Sequence, residues 1–194
     1  MKLRLSIFSL LLALIIAMPY SAFADNSEAT FHPSAAQKGV RYSTDALLIA
    51  LPASALVGTF VMKDWKGLIE GVETAAVTAG VTYLLKYTVK EKRPDGSDWH
   101  SFPSGHSATT FAAASYLMRR YGWKFGVPAY VLSTYTAWGR CFAKKHHWYD
   151  VVVGAGIGTA SAFIFTKPYA KKHNLQLVPV ADASHIGIYA SMEF

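Results

Sequence analysis

The chain has 194 residues, of which 52% are hydrophobic and 16% charged, with a formal net charge of +7. That length holds one domain, and with Cys141 as the only cysteine a disulfide-stapled secreted module is excluded. The basic balance fits nucleic acid, anionic lipid or a phosphorylated substrate, and composition does not choose among them.

Residues 1–24 read as a secretory signal peptide. Lys2 and Arg4 form a positive start, Leu5 to Met18 are apolar, and Ala22-Phe23-Ala24 is a small-x-small site before polar Asp25. An uncleaved first membrane helix is the alternative. Residues 25–43 are polar and mixed, and read as a loop with a short helix.

Five largely apolar blocks follow, each bounded by charge: Ala46 to Met62, Thr74 to Leu85, Trp99 to Met118, Phe125 to Gly139 and Val151 to Thr166. Most are too long for strands, so they predict helices. The expected fold is all-α, a bundle of about five core helices within residues 44–173. Most blocks fall short of the about 20 apolar residues of a full span, but their many Ala, Gly, Ser and Thr residues suit close helix packing. The turns at 63–66, at 119–124 and after Lys167 are basic and fall on one side if the blocks alternate across a bilayer. A membrane-embedded bundle is therefore expected over a soluble periplasmic one. The tail, 174–194, is of uncertain structure. It alternates from His185 to Phe194 with the period of a strand, and is expected to pack on the bundle.

The chemistry-bearing residues form three clusters. The first is Lys86, Arg93 and Pro94. The second is Pro103-Ser104-Gly105-His106. The third is Arg140, His146 and Asp150. Lys86, Arg93 and Arg140 can neutralise a phosphate dianion, the arginines through their planar forks. Ser104 before a helical run marks a helix N-terminus, whose amides attract anions, and Gly105 lets the backbone come close. His106 in that first turn can protonate a leaving oxygen. His146 and Asp150, four apart, would share a helix face, so that the carboxylate orients an imidazole whose other nitrogen attacks. His100 and His147 read as loop residues. Lys144 and Lys145 suit contact with anionic headgroups. No metal-ligand spacing links the histidines.

Taken in order, the clusters resemble the type 2 phosphatidic acid phosphatase family, which shares its site with vanadium haloperoxidases. The family pattern is Lys-x6-Arg-Pro, Pro-Ser-Gly-His, then Ser-Arg-x5-His-x3-Asp. Every internal spacing is kept here, and the one departure is Gly139 in place of Ser. The resemblance covers roughly residues 44–166. It implies that His146 attacks phosphorus and Asp150 orients it. It implies that His106 protonates the leaving group and then activates water, and that Lys86, Arg93, Arg140, Ser104 and Gly105 bind the phosphate. It implies no metal and no cofactor. The expected partner is a phosphorylated envelope lipid such as phosphatidic acid, phosphatidylglycerophosphate, undecaprenyl pyrophosphate or lipid A. No nucleic acid is expected, and the location is a periplasm-facing inner membrane. The competing readings are a soluble broad-specificity periplasmic acid phosphatase, a vanadium haloperoxidase and a non-catalytic envelope module. Nothing in the sequence bears on oligomeric state.

Overall fold

The computed structural model describes residues 31–169, together with the backbone of 175–182 and 185–192. The expected signal peptide, 1–24, lies outside the described residues. Five helices run in sequence: α1 (Ala35–Val61), α2 (Trp65–Val89), α3 (Gly105–Tyr121), α4 (Trp123–Phe142) and α5 (Trp148–Phe165). α3 packs most extensively, lying against α5 and α4 with α1 and α2 also on its flanks.

Every helix is bounded differently from its block in the sequence, and the largest differences are the starts of α1, α2 and α3. α1 begins at Ala35, so the short helix expected within 25–43 is the first part of α1 and runs unbroken into the first apolar block. The cause is a capping box: the Ser34 Oγ accepts from the Gln37 N–H, and the Gln37 Oε1 accepts from the Ser34 N–H. α3 begins at Gly105, not Trp99, because Ser104 caps it and residues 99–104 form a loop. α2 begins at Trp65, not Thr74, because Asp64 caps it, and ends at Val89, not Leu85. Lys90 there adopts φ 48° and ψ 56°, the left-handed conformation that closes a helix.

The bundle is inside-out compared with a water-soluble one. Large apolar side chains, among them Ile49, Leu84, Tyr87, Val131 and Trp138, are exposed on its outside. Its interior is lined by small residues and hydroxyls, including Thr44, Thr78, Ala108, Ala114, Ser133 and Thr136. Many of the buried hydroxyls bond within their own helices, as where Thr78 Oγ1 donates to the Thr74 carbonyl at 2.7 Å and Thr136 Oγ1 to the Leu132 carbonyl at 2.9 Å, whereas Thr82 Oγ1 and Ser107 Oγ have no partner among the described residues. Small contacts inside and apolar bulk outside are what a lipid solvent selects. α1, α2 and α5 are long and apolar enough to cross a bilayer. This is a membrane protein.

The close seam between α3 and α5 sets the site. A Cβ on Gly154 would stand 2.4 Å from the Ser104 carbonyl oxygen, and one on Gly158 would stand 2.1 Å from that of Ala108. Only glycine allows this approach, which brings the N-terminus of α3 against the N-terminus of α5. In the tail, β1 (Leu175–Asp182) and β2 (His185–Met192) form an antiparallel hairpin, pairing Leu175 with Met192 and Asp182 with His185. Only the second strand is legible in the sequence; Pro179 interrupts the alternation of the first.

Candidate active site

The three clusters meet at one end of the bundle. Cluster one comes off the end of α2. Lys86 Nζ donates to the carbonyls of His100 and Pro103 at 2.8 and 2.9 Å, so this cation also ties down the loop entering α3. Arg93 lies in that loop, where its Nε donates to Asp98 Oδ1 at 2.9 Å. Against the cost of burial, the His100 N–H and Arg93 hold the Asp98 carboxyl below the usual carboxylate range.

Cluster two is the helix start. Ser104 is fully buried, and its Oγ accepts from the Ser107 N–H at 3.4 Å. The Ser104 N–H donates to the Asp150 carbonyl at 3.0 Å, a direct link to cluster three. Gly105 and His106 follow in the first turn of α3. The N-terminus of α3, with its positive dipole end, thus opens toward the other two clusters.

Cluster three departs from its expected geometry. His146 is not helical: it precedes His147, the N-cap of α5, and Asp150 is the third residue of that helix. The two do not meet as a pair on one helix face. They meet because the chain folds back at the cap, where Asp150 Oδ2 accepts from the His147 N–H at 2.9 Å. His146 Nδ1 then stands 3.5 Å from the same oxygen. His146 is 3% exposed and Asp150 fully buried. Burial pushes the His146 imidazole down to about 4, only partly opposed by Asp150, with Arg93 and Arg140 pushing the same way. The ring is therefore neutral at physiological pH, the form in which a nitrogen lone pair can attack. Arg140 is 4% exposed, and its Nε is buried without a hydrogen-bond partner among the described residues. A buried unpaired guanidinium N–H is costly, and an anion would satisfy it.

Several residues in this region escaped the sequence reading. Asp45, on α1, places Oδ1 2.7 Å from Arg140 Nη1 and 2.8 Å from His106 Nε2. Ser101 Oγ donates to Asp150 Oδ2 at 2.5 Å and braces it from the loop. Glu91 accepts from the Tyr149 hydroxyl and lies 3.4 Å from His147 Nδ1. Burial raises the Glu91 carboxyl to about 7, opposed by the Tyr149 hydrogen bond. Glu91, His147 and Asp150 each bring a potential ligand atom within 4.8 Å of the others. Ser101 and the His147 amide already engage Asp150 Oδ2, while Asp150 Oδ1 has no hydrogen-bond partner among the described residues, so the group braces His146 through one oxygen only. Lys145 pairs with Asp95, not with a headgroup alone. Asp45 carries no motif signal, since it only bounds the first apolar block.

Comparison with known proteins agrees with this architecture. Residues 68–173, more than half the chain, match the model of the PAP2 superfamily. A lipid A 4'-phosphatase of Helicobacter pylori is 35% identical over 60% of this chain and 65% of its own length. A lipid A 1-phosphatase of Porphyromonas gingivalis is 34% identical over 50% of this chain and 22% of its own. The chain thus spans less than two thirds of these relatives. Two solved structures share the fold. LpxE of Aquifex aeolicus superposes with a TM-score of 0.59 at 21% identity, covering 69% of this chain and 86% of that one. A transmembrane PAP2 type phosphatidylglycerolphosphate phosphatase of Bacillus subtilis gives 0.56 at 20%, covering 85% and 94%. The helical bundle is shared with these solved structures, and with residues 68–173 matching its family model the chain belongs to the PAP2 superfamily.

Proposed function

We propose that the chain is a metal-independent phosphatase that hydrolyses a phosphate monoester or pyrophosphate of an envelope lipid through a phosphohistidine on His146. The observation that carries this reading is the buried His146, its Nδ1 3.5 Å from Asp150 Oδ2, beside an arginine whose buried Nε has no partner among the described residues. His146 Nε2 attacks phosphorus and the bond to the lipid oxygen breaks. His106 gives its proton to the departing oxygen. His106 then takes a proton from water as that water attacks phosphorus, which frees His146 and releases phosphate. Lys86, Arg93, Arg140, Ser104 and the Gly105 amide stabilise the charge on the phosphoryl oxygens.

Three observations support a lipid substrate over the soluble acid phosphatase alternative. Three helices are long and apolar enough to span a bilayer. Two relatives are named for lipid A. An apolar cleft of about 370 Å³ opens between α1, α2 and α3, with Pro52, Leu56, Thr78 and Thr109 among its walls and no site residue in its lining, and offers apolar room for an acyl chain. The basic turns opposite the site favour a site facing the periplasm from the inner membrane, with residues 1–24 as the export signal and 44–173 as the catalytic domain.

The test is phosphate release from lipid A, undecaprenyl pyrophosphate, phosphatidic acid and phosphatidylglycerophosphate in detergent. Activity on at least one lipid is expected, unchanged by EDTA. His146→Ala should reduce it by a factor on the order of 10⁴–10⁶, the loss seen when a covalent nucleophile is removed. Near-normal turnover by that variant, or loss in EDTA, would refute the mechanism.

A further inference from the structure

We infer that Asp45 is the positioning carboxylate of His106, so that each of the two imidazoles has a carboxylate of its own. The inference rests on the reading of His106 as proton donor and water activator. His146 is held by Asp150 from within its own motif. His106 is held by a residue 61 positions away, on a helix that carries no part of the motif.

The geometry is specific. Asp45 Oδ1 receives two donors at once, Arg140 Nη1 at 2.7 Å and His106 Nε2 at 2.8 Å. An oxygen already accepting from a guanidinium acts as an ionised acceptor, so the hydrogen between Asp45 and His106 sits on Nε2. That leaves Nδ1 to carry the proton that is given to the leaving oxygen and later taken from water. Burial, with the Arg140 charge behind it, pushes the His106 imidazole down to about 4, and the Asp45 carboxylate opposes both, favouring the imidazolium that the first step consumes and the second restores. Arg140 Nη1 further reaches Thr44 Oγ1 at 3.4 Å, and Arg41 Nε stands 3.8 Å from Asp45 Oδ2, so the carboxylate is steadied from its own helix.

What lets α1 come this close is Gly139. A Cβ there would lie 2.6 Å from Thr44 Cγ2 and 2.9 Å from Val40 Cγ1. Gly139 is also the one position where the chain departs from the motif pattern. The absence of a side chain on α4 and the presence of a carboxylate one residue beyond Thr44 belong to the same contact.

A merely structural ion pair would lower activity on all substrates alike. A carboxylate competing with phosphate for Arg140 would weaken anion binding. A positioning role predicts something else: dependence on the leaving group. The probes are dihexanoyl phosphatidate, whose glyceryl oxygen must be protonated as it leaves, and p-nitrophenyl phosphate, whose nitrophenolate leaves without a proton. The quantity is kcat/KM, which reports the step that releases the alcohol. Asp45→Asn is expected to lower it about 10- to 100-fold for the phosphatidate and to leave it within about threefold for the nitrophenyl ester, because only the first needs general acid help. Asp45→Glu, which keeps a carboxylate, is expected to recover part of the loss. Inhibition by inorganic phosphate should stay within about threefold of the wild type, since the phosphate-binding cations remain. Equal losses on both esters, no loss on either, or tighter phosphate inhibition with faster turnover would overturn the inference. If His146→Ala is inactive while Asp45→Asn affects both esters equally, only the role of Asp45 falls. If His146→Ala stays active, or the wild type cleaves neither ester, the underlying reading falls first.

Discussion

Each end of the bundle buries an arginine against carboxylates, and the two arrangements differ in how completely they are paired. At the end opposite the site, Arg120 is held on every side. Its Nε and Nη2 grip Asp64 at 2.6 and 2.5 Å, and its Nη1 donates to Glu70 at 3.1 Å and to the Lys167 carbonyl at 2.9 Å. Tyr121 adds a hydrogen bond to Asp64 at 3.0 Å. This knot ties the α1–α2 turn, α2, the end of α3 and the segment after α5. At the other end, Arg140 has one carboxylate, Asp45, whose side chain is 40% exposed, and its Nε has no partner among the described residues. A saturated buried arginine fastens helices together. An unsaturated one, flanked by two further cations, is a place for an anion.

The comparison can be broken from either side. The largest expected effect is on stability. Arg120→Ala leaves Asp64 and Glu70 buried without their cation, which should destabilise the fold by about 3–5 kcal/mol, read as thermal unfolding in detergent, while the folded fraction keeps its specific activity. The reciprocal variant, Arg140→Ala, should cost about 10²–10³-fold in kcat, as loss of a charge-stabilising donor does, with little change in melting because Asp45 is left facing solvent. If Arg140→Ala instead unfolds the protein and Arg120→Ala spares it, the division of labour between the two ends is wrong.

A smaller effect sharpens the electrostatic side. Burial disfavours the His146 imidazolium, so this ring stays neutral from high pH down to about 4 and takes up its proton only as the pH falls through that value. The unfolded chain would bind that proton near 6.5. The folded state therefore binds fewer protons between those values, and His146 withdraws stability as the pH drops from about 6.5 toward about 4. Ring-labelled histidine NMR, with His146 assigned by difference from His146→Ala, should show a midpoint near 4; a midpoint near 6.5 would mean the ring is wetter than its burial implies. The smallest effect belongs to α1. Gly139→Ala forces a methyl against Thr44 and Val40. It should cost about 1 kcal/mol of stability through overpacking and a milder form of the leaving-group defect expected for Asp45→Asn, checked with the same two esters.

How far the sequence reaches depends on how local each partner is. The helices were legible because their apolar blocks are continuous and bounded by charge, although the start of α1 was hidden in a polar stretch that a capping box turns helical. The site clusters were legible because Lys86 and Arg93, Ser104 to His106, and Arg140 to Asp150 each occupy one short stretch whose spacing a loop or helix start imposes. Even so, the His146–Asp150 contact follows from a helix cap and not from the shared helix face that their spacing suggested.

The sequence alone determined the number and order of the helices, the residue types that make up the three clusters and the family they resemble. Only the tertiary structure decided which partners complete them: Asp45 on His106 and Arg140, Ser101 on Asp150, and the Asp64–Glu70–Arg120 knot at the far end. Those contacts join residues about 50 to 95 positions apart through helices whose approach is set by glycines such as Gly139, Gly154 and Gly158. Local geometry ties residues a turn apart to one another, but long-range pairing depends on how closely whole helices pack.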